Sequence, residues 1–230
     1  MKIAVAKGDG IGPEIMDAVV KIFNANKVPL EYEYVDMGKW VFDKGFSNGM
    51  TPEAKETIEK LSILFKGPME TPKGKGVKSI NVTARKTWNT YANKRVFQTL
   101  HGVDTVFSKA GIPIDITIVR ENIEDTYGGI EHMPTHDVAL SRRFITRPGS
   151  LQVIKYAFEM AKKKGTKRIT CGHKANIMKL SDGLFLECFY EVAKEYPELK
   201  SDDVIVDDLC MKLVTRPDTF DVVVLTNLQG

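Results

Sequence analysis

Three side chains stand at places where chemistry is done: Tyr127, Lys174 and Asp207 each follow a short apolar run rich in β-branched residues, and so fall at the end of an expected strand. The segment Val119-Arg120-Glu121-Asn122-Ile123-Glu124-Asp125-Thr126-Tyr127-Gly128-Gly129 carries one strand into a run of charged and amide side chains. Such a run makes a poor structural segment and a plausible site. Tyr127 could donate a proton, its phenol made more acidic by cationic neighbours; the plainer reading is a packed aromatic at a turn. In Gly172-His173-Lys174-Ala175-Asn176-Ile177-Met178-Lys179, Lys174 sits among short residues, where desolvation could fit it for proton transfer, and Asn176 could hydrogen-bond a ligand. His173 reads more simply as a core or capping histidine than as a metal ligand. Val206-Asp207-Asp208 ends a strand with paired carboxylates. That suits a hard cation such as Mg²⁺ or Mn²⁺, and it equally suits a helix N-cap.

A second group of residues could grip an anion. Glu70-Thr71-Pro72-Lys73-Gly74-Lys75-Gly76-Val77-Lys78-Ser79-Ile80-Asn81 is a polar, glycine-rich loop leading into a helix, with Ser79 and Asn81 in its first turn. A helix N-terminus offers backbone N–H groups, here beside a hydroxyl and an amide. Arg85, four residues beyond Asn81, falls on the same helix face. Arg95 and Arg120 add two further guanidinium forks, and three of them would suit a small polycarboxylate. Taken singly, each is an ordinary surface salt-bridge partner. Gly8-Asp9-Gly10-Ile11-Gly12-Pro13-Glu14 also follows a strand and opens a helix, but its glycines fall at every second position and miss the dinucleotide spacing. Alone, it reads as a tight turn requiring positive φ.

The elements that position these residues alternate between strand and helix, which is the pattern of an α/β fold with a largely parallel sheet. Strands are expected at 3–6, 30–35, 62–65, 116–119, 169–171, 204–206 and 222–225. Helices are expected from Pro13 through Phe23, from a Thr51 cap, over 82–91, over 151–164 closed by Gly165, and over 184–196. Residues 128–150 break every period and read as a protruding hairpin or arm. No repeat, low-complexity tract or linker interrupts the chain. It stops at Thr226-Asn227-Leu228-Gln229-Gly230, just past a buried strand where a functional loop is expected, and so looks cut rather than finished.

Composition excludes several classes. At 43% hydrophobic and 27% charged over 230 residues, the chain can bury a core. A net charge of +3, with basic residues clustered only at Lys73 to Lys78, Arg142-Arg143 and Lys162 to Arg168, gives no case for nucleic acid. No apolar run could span a bilayer, and no leader precedes the first strand, so a cytoplasmic protein is expected. Three widely spaced cysteines fit a reducing compartment.

Three segments, GDGIGPE at 8–14, RENIEDTYGGIEH at 120–132 and HKANIMK at 173–179, occur in the order found in the β-decarboxylating dehydrogenases. The chain resembles this family of isocitrate, isopropylmalate and tartrate dehydrogenases along essentially its whole length, in the bacterial long type. The resemblance implies an isocitrate/isopropylmalate dehydrogenase-like fold of two α/β domains with a protruding arm, the C-terminal part of the large domain being absent. Residues 1–90 would be the N-terminal part of the large domain. Residues 91–230 would form the small, dimer-forming domain, with the arm at about 128–148. The Ser79/Asn81 pair implies isocitrate as substrate, bound by Ser79, Asn81, Arg85, Arg95 and Arg120. Tyr127 would protonate the enol after CO₂ leaves, and Lys174 would assist removal of the hydroxyl proton. Asp207 would ligate Mg²⁺ or Mn²⁺, and Glu70, Thr71 and Asn176 would lie near NADP (or NAD). A homodimer with shared active sites is implied, and the 230-residue chain by itself is expected to be inactive. Alternatives are a homoisocitrate enzyme or a non-catalytic regulatory subunit.

Overall fold

The computed structural model describes residues 1–71 and 79–230; the glycine-rich stretch 72–78, read above as leading into Ser79, lies outside the described residues. The chain divides into two compact units, Met1–Trp88 and Asn89–Gly230, and both are α/β.

In the first unit the order is β1 (Lys2–Ala6), α1 (Gly12–Ala25), β2 (Glu31–Tyr34), α2 (Lys39–Asp43), α3 (Pro52–Leu61), β3 (Leu64–Lys66) and α4 (Ile80–Thr87). The strands form a parallel sheet in the order β2-β1-β3. The central strand β1 is buried from Ile3 to Ala6, as expected of a strand covered on both faces. Val5 and Ile3 pack with Met16 of α1, while Ala6 packs with Met37, Met50, Ile80 and Ala84. Thr51 caps α3 by accepting the Ala54 amide at 3.1 Å.

The turn between β1 and α1 is the tight turn that the glycine spacing suggested. Gly8 has φ +80°, and a Cβ there would lie 2.1 Å from the Pro68 carbonyl oxygen. Between the glycines, the Asp9 carboxylate accepts the Lys39 amide at 2.9 and 2.8 Å and the Glu70 amide at 2.9 Å. One side chain thus ties the start of α2 and the segment after β3 to the first turn.

The second unit contains β4 (Ala92–Gln98), α5 (Val106–Lys109), β5 (Asp115–Glu121), β6 (Ile130–Thr135), β7 (Val138–Arg142), α6 (Arg147–Lys164), β8 (Arg168–His173), α7 (Ser181–Ala193), β9 (Lys200–Ile205), α8 (Val206–Thr215) and β10 (Val222–Leu225). Its main sheet runs β4-β5-β10-β8-β9, parallel except for the edge strand β4. The last strand in sequence is therefore central, and its four residues Val222 to Leu225 are all buried. Phe158 of α6 and Phe185 and Phe189 of α7 fill one side with Val153, Ile154 and Ile169. Strands β6 and β7 pair only with each other, their residues all exposed, as the arm expected there.

Several boundaries differ from the sequence expectation. The helix expected to run to Tyr91 ends at Thr87, and the chain turns through Asn89 (φ 45°) into β4, which went unforeseen. Helix α6 begins at Arg147, inside the expected arm, because Thr146 caps it through the Gly149 amide at 3.2 Å. Strand β9 ends at Ile205, so Asp207 and Asp208 lie in the first turn of α8 rather than at a strand end. Carboxylates there complement the helix dipole. No described helix is long and apolar enough to cross a membrane.

Asp9→Ala should leave the Lys39 and Glu70 amides without their acceptor. Unfolding in urea should show a loss of about 1.5–3 kcal/mol, the usual worth of bonds to a charged acceptor; an unchanged midpoint would refute the tie.

Candidate functional site

On the first unit, the expected residues gather at the start of α4. Ser79 is the N-cap, yet its hydroxyl makes no cap bond to the helix and instead receives the Thr71 hydroxyl at 3.2 Å. Asn81 carries a buried Oδ1 that has no hydrogen-bond partner among the described residues. A buried amide oxygen without a donor is costly, and such an atom asks for a partner from outside. Arg85 lies further along the same helix, and Lys66, at the end of β3, is close enough to feel its charge. Burial first, then the Arg85 guanidinium, pull the Lys66 ammonium below the ordinary lysine range. The sequence reading passed over Lys66; its only signal was a lone cation in an apolar strand just before Gly67-Pro68. Glu70 and Thr71 are exposed beside this turn.

On the second unit, β5, β10 and β8 are neighbours and parallel, so the segments that follow them leave the sheet at one edge. That edge is where α/β proteins place their ligands. Arg120 is buried within β5. Its Nε donates to the Asn227 carbonyl at 2.8 Å and to Asn227 Oδ1 at 3.1 Å, and its Nη2 donates to the same Oδ1 at 2.7 Å. The guanidinium carbon stands 5.1 Å from the centre of the Tyr127 ring. Tyr127 is 38% exposed, on a 3₁₀ turn spanning Asp125–Gly128, and so is not the packed aromatic of the plainer reading. Arg95 faces the same side of the sheet as Arg120, since Asn93 pairs with Arg120 and Arg95 with Ile118. Its Nη1 lies 3.5 Å from the Gly230 carbonyl.

Lys174 is not desolvated among short residues, as the sequence suggested; its ammonium bonds the Asp207 carboxylate. That bond holds the Asp207 carboxyl below its ordinary range. Asn176 is exposed on the same loop. Asp207 is the one expected metal ligand, and no group of three His, Cys, Asp or Glu able to hold an ion exists among the described residues. The described side chains do not form a metal site by themselves. His173 behaves as a capping histidine: Nδ1 lies 3.0 Å from the Ala175 amide that it accepts, and Nε2 lies 2.8 Å from Asp203.

Most of the polar run after β5 is structural. Glu121 accepts the Ile123 amide at 2.7 Å and the Glu124 amide at 3.0 Å, and burial pushes its carboxyl up. Asn122 donates to the Thr90 carbonyl at 2.8 Å, and Glu124 accepts the Thr146 amide at 2.8 Å and its hydroxyl. Asp125 pairs with Arg143, Nε to Oδ1 at 2.6 Å, and Arg143 also reaches Asp182, Nη1 to Oδ1 at 2.7 Å. Both aspartates are fully buried. The sequence reading marked Arg143 only as part of a basic pair and did not foresee Asp182. A separate cleft of about 700 Å³, lined by residues such as Val96, Phe97, Ile116 and Leu213, contains none of the expected residues and no ionisable group.

Burial pulls the Asp203 carboxyl up, but bonds from Tyr190 and His173 outweigh it, and the net direction is down. A carboxyl lowered by folding adds stability above the unfolded carboxylate range, and this is lost as pH falls through the folded value. Asp203→Asn should therefore cost more stability at about pH 7 than at about pH 3 in urea titrations; an equal loss at both would contradict the assignment.

A sequence profile described as isocitrate/isopropylmalate dehydrogenase matches residues 2–230. A Thermus thermophilus protein named isocitrate dehydrogenase (NADP) is 45% identical over 228 residues, covering 99% of this chain and 46% of that protein. The chloroplastic 3-isopropylmalate dehydrogenase of Solanum tuberosum is 44% identical over 223 residues, covering 97% of this chain and 61% of that one. The crystal structure of isocitrate dehydrogenase from Methylococcus capsulatus superposes with a TM-score of 0.91 at 43% identity, covering all of this chain and 67% of that one. The chain spans about half the length of the bacterial relatives it matches.

Proposed function

The chain belongs to the isocitrate/isopropylmalate dehydrogenase family, and from that premise we propose that the whole protein oxidises and decarboxylates isocitrate to 2-oxoglutarate with NADP. Relatives named for isocitrate and for isopropylmalate are almost equally similar, at 45% and 44% identity, so names alone do not select the substrate. The observation that carries the choice is the start of α4. Isopropylmalate presents an apolar branch where isocitrate presents a carboxymethyl group. No partner among the described residues holds Asn81 Oδ1, so the amide is free to turn its NH₂ toward an anion, and with the Ser79 hydroxyl left free of capping and the cations Lys66 and Arg85 on β3 and α4 it supplies donors and positive charge suited to the carboxylate. An apolar branch would give these donors nothing to bind.

In this reading Arg85, Arg95 and Arg120 hold substrate carboxylates. NADP, when bound, would supply the acceptor for the C2 hydride. Lys174 assists removal of the hydroxyl proton, taking it as its own ammonium passes a proton to the Asp207 carboxylate bonded to it, so that the C2 carbonyl forms and the β-carboxylate can leave as CO₂. Tyr127 returns a proton to the carbon that lost CO₂, completing 2-oxoglutarate. Glu70, Thr71 and Asn176, all exposed, are the side chains assigned to the nicotinamide end of NADP. A Mg²⁺ or Mn²⁺ would have Asp207 as its ligand from this chain. Assembly as a homodimer agrees with the exposed apolar side chains of α8, Met211 and Val214, and of the arm, Met133, Val138 and Leu140. A cytoplasmic location belongs to the same reading.

The whole protein should turn over isocitrate with NADP⁺ and Mn²⁺ and leave 3-isopropylmalate essentially untouched. Ser79→Glu sets a carboxylate against the substrate's own, and should lower kcat/KM for isocitrate by about 100-fold or more, a few kcal/mol of repulsion, with little change in thermal midpoint. Preference for isopropylmalate, or a Ser79→Glu variant with unaltered kinetics, would defeat the substrate choice.

A further inference from the structure

Residue Arg143, which none of the chemistry above uses, makes the densest set of polar contacts at the carboxyl edge of the second unit's sheet. It follows β7 directly, and its side chain is 11% exposed. Its Nε and Nη2 reach the two oxygens of Asp125, at 2.6 and 3.2 Å. Its Nη1 reaches Asp182 at 2.7 Å and the Met178 sulfur at 2.8 Å, and Nη2 donates also to the Thr226 hydroxyl at 2.8 Å.

The two carboxylates pass this anchorage on to backbone. Asp125 accepts the amides of Thr126 at 2.8 Å and Leu228 at 2.9 Å; Asp182 accepts the amide of Lys174 at 2.6 Å and the Gln229 side-chain amide at 3.3 Å. These amides lie on the three segments that follow β5, β10 and β8. Thr126 precedes Tyr127, Leu228 follows the Asn227 that clamps Arg120, and Lys174 is itself one of the bonded residues. Asp125 is also held at φ +70°, a conformation unusual for a residue with a side chain. Without the guanidinium the two fully buried carboxylates would lose their ion-pair partner and keep only these amide donors, which is costly for buried charge.

We propose that Arg143 is the positioning residue that fixes the Tyr127, Lys174 and Asn227 segments relative to one another. A guanidinium is required because a fork must satisfy two carboxylates and a hydroxyl in different directions, which the point charge of lysine cannot do. The catalytic part of this inference rests on the function proposed above; the ordering of the three segments does not.

The test uses the whole protein with Arg143→Met and Arg143→Lys, and Arg147→Met as a control that removes only exposed ion pairs. Hydrogen exchange followed by mass spectrometry should show peptides covering Thr126, Lys174 and Leu228 exchanging about ten-fold faster or more in Arg143→Met, all three together, with the core strands β8 and β10 unchanged. The kcat for isocitrate should fall about ten-fold or more while KM stays within about three-fold, since misplacing proton-transfer groups costs turnover rather than ground-state binding. Arg143→Lys should recover part of both effects, and it carries the test if the methionine variant does not fold. Faster exchange in one segment only, exchange that rises equally in the core strands, or loosened segments with kcat unchanged would each overturn the proposal. If the unmodified protein does not turn over isocitrate, the functional reading fails, and exchange alone decides whether Arg143 orders the segments.

Discussion

Two carboxylates without solvent contact, Asp125 and Asp182, lie against one guanidinium in the second unit, that of Arg143, and charge is buried at tolerable cost only when it is paired and hydrogen-bonded. Breaking such a pair by removing one partner typically costs about 3–5 kcal/mol, a large share of the stability of an ordinary domain. An apolar cluster of the same volume would give comparable stability at less risk. Apolar packing is non-directional, however, whereas a carboxylate fixed by a guanidinium fork presents its remaining lone pairs in set directions. The amides of Thr126, Leu228 and Lys174 are received in those directions. The arrangement thus turns a costly buried charge into geometric definition for three chain segments.

That definition is useful only because the sheet brings the segments side by side. Strand β10 lies between β5 and β8 although it comes last in sequence, and the uninterrupted burial of Val222 to Leu225 suits a position covered on both faces. Gly172 shows how little space lies between neighbouring strands and under α8, since a Cβ there would lie 2.2 Å from the side chain of Leu225 on β10 and 2.8 Å from that of Leu209 on α8. The core of Phe158, Phe185 and Phe189 sets the strands, and the strands set the edge. The charge network then arranges what leaves that edge.

What could be read in the sequence was what local spacing encodes. The Gly8 turn, the Thr51 cap, the central strands and the four-residue spacing of Asn81 and Arg85 on α4 are all decided within a few residues. Strand β4 escaped because an edge strand needs little apolar character, and Ala92-Asn93-Lys94-Arg95 looks like loop. Asp207 and Asp208 were misplaced because β9 passes into α8 without a breaker residue between them. The Asp125–Arg143–Asp182 network could not be read, since Arg143 is linked to partners such as Thr226, 83 positions away, through a fold that only the structure supplies. Likewise, the depressed basicity of Lys66 comes from its burial first and from Arg85 second, and both depend on the fold.

The buried Arg120 and the partly buried Arg143 of the second unit are held in opposite ways, and the difference matters more than their burial. Arg143 is answered by two carboxylates, so its charge is spent within the fold. Arg120 is held by the neutral carbonyl and amide oxygens of Asn227, and no ion-pair partner for it is found among the described residues. A neutral clamp fixes orientation without cancelling charge, so the positive field of Arg120 remains available to an anion. A carboxylate at position 227 would make a stronger bond and a weaker site. Since Asn227 also donates to the Glu124 carbonyl at 3.1 Å, it must present an acceptor on one side and a donor on the other, which an aspartate could not do. The choice of an amide at this position therefore serves both the fold, which needs a donor, and the site, which needs Arg120 oriented with its charge intact.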